Sequence, residues 1–114
     1  VAKAEDAAGR FDDAWDHALD AGVPIAMGTD AGTPFNFFED IPRELAYMVE
    51  YGLSPAAALE AATVNAADLL GLDDVGRVEE GYRADLVVLG ADPTEDVEAW
   101  QAPEAVFAVG DRVK

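Results

Sequence analysis

The spacing of apolar positions along this chain changes several times, and each change marks an element. From residue 3 to residue 20, Ala7, Phe11, Trp15 and Ala18 recur at intervals of four, four and three, which puts them on one helical face. Asp12, Asp13, Asp16 and Asp20 fall mostly off that face. The pattern predicts a helix over 3–20, stopped at Gly22 because glycine tolerates the left-handed conformation that ends helices. The next run, Val23-Pro-Ile-Ala-Met-Gly28, is nearly all apolar and bounded by glycines. Its length and bounds predict a strand buried on both faces, as in a parallel sheet, with Pro24 near the start, where a missing N–H costs least.

Residues 31–40 read as a loop of small and aromatic residues. Its three phenylalanines, Phe35, Phe37 and Phe38, are expected to pack against another element or line a pocket. Asp40 is expected to cap a helix that carries Pro42 in its first turn, Ile41, Leu45, Met48 and Val49 on its apolar face, and Gly52 at its end. Ser54 and Pro55 fit the N-cap and first position of a further helix, with Leu59, Ala62, Ala66, Leu69 and Leu70 on one stripe and Gly71 closing it. From Val75 the character becomes strand-like. Residues 75–79 and 84–89 predict a hairpin turning at Glu80-Gly81, and 105–109 with 112–113 a smaller one turning at Gly110-Asp111.

Composition narrows the possible functions. With 114 residues, 51% of them apolar, the chain can build one modest core and is not a disordered tail. No run approaches the ~20 apolar residues of a membrane span, and charges at Lys3, Glu5 and Asp6 stand where the apolar region of a signal peptide would begin. The absence of cysteine excludes disulfides and thiolate metal sites and favours a cytoplasmic protein. Twenty-four acids against seven bases give a formal charge of −17, which argues against nucleic acid as a partner. Such a charge reads either as an acidic solvating surface of the halophilic kind or as a face for a basic partner. The acids are scattered, with no run of five or six, which favours the first.

Asp30 is the leading candidate for chemistry. It follows directly on the predicted strand, and in a β/α barrel that position faces the C-terminal end, where such barrels hold their sites. A carboxylate there can bind zinc through oxygen or move a proton; equally, aspartate before Gly32 is a common turn residue. His17 lies mid-helix and reads as a surface or packing residue. Ser54, the only serine, is taken by a helix cap, and no phosphate-binding glycine loop or calcium loop is present.

Three segments in order carry a resemblance: Gly28-Thr-Asp-Ala-Gly32, the helix over 52–67, and Gly76-Arg-Val-Glu-Glu-Gly-Tyr-Arg-Ala-Asp-Leu-Val-Val-Leu89. Together they resemble the C-terminal part of the amidohydrolase superfamily, in its imidazolonepropionase and dipeptidase-like branch, over about residues 3–114. The resemblance implies an α/β fold: the last β/α units of a (β/α)8 TIM-type barrel over 1–72, followed by C-terminal strands of a small β-sandwich over 73–114. It implies that Asp30 is a zinc ligand and proton shuttle in a site of one or two divalent metals. The other ligands of that family are a His-x-His pair, a carboxylated lysine or glutamate, and two further histidines, all from earlier strands and none in this sequence. The implied reaction is hydrolysis of a C–N bond in an amide, cyclic amide or dipeptide. The loop after Gly32 departs from the family's polar pattern, and Asn36 is the residue there expected to touch substrate.

A barrel takes about 250 residues, so the expectation is a piece of a longer hydrolase that needs its remaining barrel half, from the same or a second chain. The alternatives are a catalytically inactive acidic interaction module and one half of a split enzyme. Arg83 and Asp85 are expected to orient the sandwich, and a small-molecule substrate and a homo-oligomer complete the expected partners.

Overall fold

The computed structural model describes residues 2–114, with side-chain surroundings for Ala7 and for residues 9–114. Helix α1 (Ala2–Asp20) is followed by an extended segment, a looped turn, and helices α2 (Ile41–Glu50), α3 (Pro55–Ala62) and α4 (Val64–Leu70). Three short strands, β1 (Leu86–Val88), β2 (Ala105–Ala108) and β3 (Asp111–Arg112), make one antiparallel sheet in the order β1-β2-β3. Among the described residues no helix is long and apolar enough to cross a membrane.

The core forms where α2 meets α3. Leu45, Met48, Ala58 and Ala61 are buried there, and the alanines of α3 let the two helices approach closely. Trp15, Ile25, Met27, Leu53, Val97 and Trp100 pack around them. Trp100 packs on this helical core from within a 3-10 turn over Val97–Gln101.

Several helix signals are realised as read. Ser54 Oγ accepts a hydrogen bond from the Ala57 amide at 3.1 Å, and Pro55 opens α3. Gly71 ends α4 in the left-handed conformation, where the Leu72 amide reaches the Ala67 carbonyl at 2.9 Å. Asp40 occupies the N-cap position of α2, but its carboxylate accepts from the Phe37 amide at 3.2 Å, because a 3-10 turn over Phe38–Asp40 precedes the helix.

Four expectations are corrected. Residues 23–28 form no strand or ladder among the described residues, where no neighbouring parallel strand is present; Ile25 and Met27 pack on the core while Val23 is exposed. The helix expected from Pro55 to Leu70 breaks at Thr63, whose φ and ψ are −124° and −87°. There Thr63 Oγ1 donates to the Leu59 carbonyl at 2.7 Å, a side-chain bond of the kind that bends helices, and Leu69 and Leu70 turn outward. The hairpin expected over 75–89 does not form. Residues 74–83 close on themselves instead, through the Arg83 amide donating to the Asp74 carbonyl at 2.7 Å, and β1 pairs with β2. Finally, Phe35, Phe37 and Phe38 are exposed rather than packed, although Phe35 does line a cavity.

Candidate active site

The segment that presents Asp30 is held by the helix break behind it. The Met27 amide donates to the Ala61 carbonyl at 2.9 Å, and Asn65 Nδ2 donates to the Ile25 carbonyl at 2.9 Å. These two bonds flank Thr63, so the kink between α3 and α4 is what offers a carbonyl and a side chain to the extended segment at once. Asn65 was not singled out in the sequence. The available signal was one amide inside an alanine-rich run, where a side chain able to bond a distant backbone is conspicuous.

Past Gly28 the chain folds into a compact loop. The Ala31 amide donates to Thr29 Oγ1 at 3.2 Å, the Gly32 amide to the Asn36 carbonyl at 2.9 Å, and the Asn36 amide to the Thr33 carbonyl at 3.1 Å. The Asn36 side-chain nitrogen donates to the Thr29 carbonyl. Asn36 thus uses its side chain to cross-brace the loop base immediately before Asp30.

Asp30 itself has a φ of +51°. Aspartate enters this left-handed region more readily than most residues, at a cost of about 1 kcal/mol or more. The residue is exposed, and among the described residues its carboxylate has no hydrogen bond or ion pair. A carboxylate oxygen suits a divalent cation, so Asp30 fits as one ligand. A catalytic zinc takes about three protein ligands, and no group of three His, Cys, Asp or Glu converges among the described residues. His17 lies exposed on α1, as a surface residue would.

A cavity of about 290 Å³ opens beside the loop, lined by Thr29, Phe35, Asn36, Asp40, Arg43, Glu44 and Tyr47. Arg43 stands 3.7 Å from Asp40 there. Burial raises the Glu44 carboxyl above its usual value of 4.5. A larger cavity, of about 760 Å³, lies elsewhere, between α3–α4 and the strands, and is lined by neither Asp30 nor Asn36. It is a gap between layers, with no convergent set of catalytic groups.

Known proteins are similar to this chain in sequence and fold. The chain is 40% identical over 101 residues to ochratoxinase from Aspergillus niger, covering 84% of this chain and 20% of that protein. It is 47% identical over 75 residues to imidazolonepropionase from Rubrobacter xylanophilus, covering 64% of this chain and 18% of that protein. The crystal structure of A. niger ochratoxinase superposes with a TM-score of 0.84 at 34% identity, over 99% of this chain and 26% of that one. A Xaa-Pro dipeptidase with methionine bound in its active site superposes at 0.81 and 34% identity, over 90% and 25%. The chain spans about a fifth of the length of these curated relatives. The family model described as the amidohydrolase family matches residues 1–113, and the chain belongs to that family.

Proposed function

We propose that the protein carrying this segment is a metal-dependent hydrolase of a C–N bond in an amide, cyclic amide or dipeptide, and that Asp30 is both a metal ligand and the proton shuttle. The observation that carries the reading is the strained, exposed and unpartnered Asp30 carboxylate at the end of an extended segment anchored on two helices. The relatives named for ochratoxin, imidazolonepropionate and Xaa-Pro substrates support the substrate classes.

In this reading residues 1–72 are the closing part of a (β/α)8 barrel and 73–114 contribute to a β-sandwich. The extended segment 23–28 takes its place as the last barrel strand when earlier strands, from the same or a second polypeptide, lie beside it. One or two divalent ions, zinc first among them, would polarise the scissile carbonyl and lower the pKa of water. Asp30 then accepts a proton from the attacking water at a carboxylate oxygen and delivers it to the departing nitrogen. Asn36 keeps the Asp30 loop in register and lines the adjoining cavity, where it can meet substrate.

The test is Asp30→Asn in the intact hydrolase, assayed on N-acyl amino acids, dipeptides and cyclic amides, with metal content measured by mass spectrometry. The expected result is a kcat lower by about 10²–10⁴-fold, fewer bound metal ions, and an unchanged circular dichroism spectrum. Near-normal turnover with full metal content would remove Asp30 from both roles.

A further inference from the structure

Helices α1 and α2 flank a third cavity, of about 400 Å³, lined by Phe11, Trp15, Glu44, Tyr47, Met48 and Tyr51. Four of these six residues are aromatic. Their rings are organised: Phe11 lies at 6.4 Å from Trp15, nearly parallel at 16°, and at 6.4 Å from Tyr51, nearly perpendicular at 82°. Trp15 Nε1 donates to the Tyr51 carbonyl at 2.7 Å, which fixes the indole across the gap between the helices. Phe11, Tyr47 and Tyr51 are nevertheless about half exposed, so the rings surround a space they do not fill.

The fifth lining group decides what fits there. Glu44 is half-buried and has no hydrogen bond or ion pair among the described residues. Desolvation without a partner is unfavourable for a carboxylate. An apolar occupant would deepen that penalty by removing the remaining water. A cation offsets it, and the negative faces of Trp, Tyr and Phe attract the same charge. Among the described residues no Lys or Arg lines the cavity, and the formal charge of −17 favours a cationic visitor at long range.

We propose that this aromatic cavity binds a free small organic cation of the alkylammonium class, with Glu44 as its counter-ion and Trp15, Tyr47 and Tyr51 as its aromatic walls. The site stands apart from the Asp30 carboxylate and does not depend on the hydrolytic reading. Glu44 and Tyr47 also line the cavity beside the Asp30 loop, so an occupied cage would share two residues with it.

Isothermal titration calorimetry on the full protein at pH 8, with choline and with its uncharged isostere 3,3-dimethylbutan-1-ol, tests the assignment. Choline is expected to bind and the isostere to bind about tenfold more weakly or not at all. Glu44→Gln and Tyr47→Leu should each weaken choline by about fivefold or more while retaining the wild-type circular dichroism spectrum. Equal binding of the two ligands would mean a plain apolar cleft and overturn the proposal. Absence of choline binding would also overturn it. If Glu44→Gln then lowered the melting temperature, the cation would be a side chain of the protein itself.

Discussion

At the scale of single residues, the molecule separates carboxylates that are held from carboxylates that are left open. Asp92 is held: its Oδ1 accepts from Thr94 Oγ1 at 2.6 Å and from the Thr94 amide at 2.8 Å, and these bonds keep its carboxyl below the usual 3.8. Glu44 is the reverse, with burial alone raising it above 4.5. The signs differ accordingly. For Glu44 the native state keeps its proton more tightly than the unfolded chain, so ionisation costs stability as pH rises from the unfolded value through the raised folded one. Below about pH 4.5 that cost is absent. Glu44→Gln in the unliganded protein is therefore expected to melt with wild type at pH 4 and above it at pH 7. Thermal denaturation at the two pH values checks this; a gap of equal size at both would show that burial of the charge is not its source.

At the scale of elements, the geometry depends on close approaches that only certain residues permit. Gly76 has a φ of +85°, and a Cβ built there would lie 2.9 Å from the Thr63 carbonyl oxygen and 3.2 Å from Ala67 Cβ. It presses the 74–83 loop into the break between α3 and α4, the same break that anchors the segment before Asp30. Gly76→Ala should cost about 1–3 kcal/mol, measured by urea unfolding, and a change under half a kilocalorie would show that the loop is free to move off the helices. Asp85 has a different task. Its Oδ1 accepts from the Val109 amide at 2.8 Å, at the positive-φ residue that opens the β2–β3 turn, while Oδ2 stands 3.8 Å from Arg83. Asp85→Ala is expected to lose about 1 kcal/mol with the chemistry of the intact hydrolase unchanged; loss of turnover at constant melting temperature would contradict that. These contacts mark how much could be read from sequence. Ser54, Gly71 and the turn at Gly110 were legible because caps and turns are local. The pairing of β1 with β2 was not, because adjacent apolar runs looked like hairpin partners until the Asp74–Arg83 closure took one of them away. The kink at Thr63 was hidden for a similar reason: Gly76, which packs against it, lies 13 positions on. The place of Asp30 directly after residues 23–28 could be read from position, whereas the bond from Asn65 to the Ile25 carbonyl needed the fold.

At the scale of the whole molecule, area and charge point the same way. The accessible surface is 8093 Å², against about 6000 Å² for a compact monomer of this mass. The radius of gyration is 15.6 Å, against about 13 Å. Much of the excess is apolar, including Phe35, Phe38, Val78, Leu69 and Leu70. In the proposed barrel reading, further strands and helices would cover this surface. Onto this thin core is placed a formal charge of −17. Among the ion pairs of the described residues, Asp40 meets Arg43, and Asp74 and Asp85 share Arg83. Repulsion among the rest acts over about 10 Å at 0.1 M salt and about 3 Å at 1 M. If that repulsion opposes folding, the melting temperature is expected to rise by about 5 °C or more, equivalent to roughly 1 kcal/mol, between 0.1 M and 2 M KCl. Chloride is the right anion for the test, because sulfate strengthens apolar burial in any protein. A second titration with sucrose separates screening from exclusion: sucrose stabilises without screening, so a response to KCl well above the response to sucrose belongs to the charges. A flat KCl profile would mean that the acids are spaced widely enough not to oppose folding, and the surface would then be better read as a face for a basic partner.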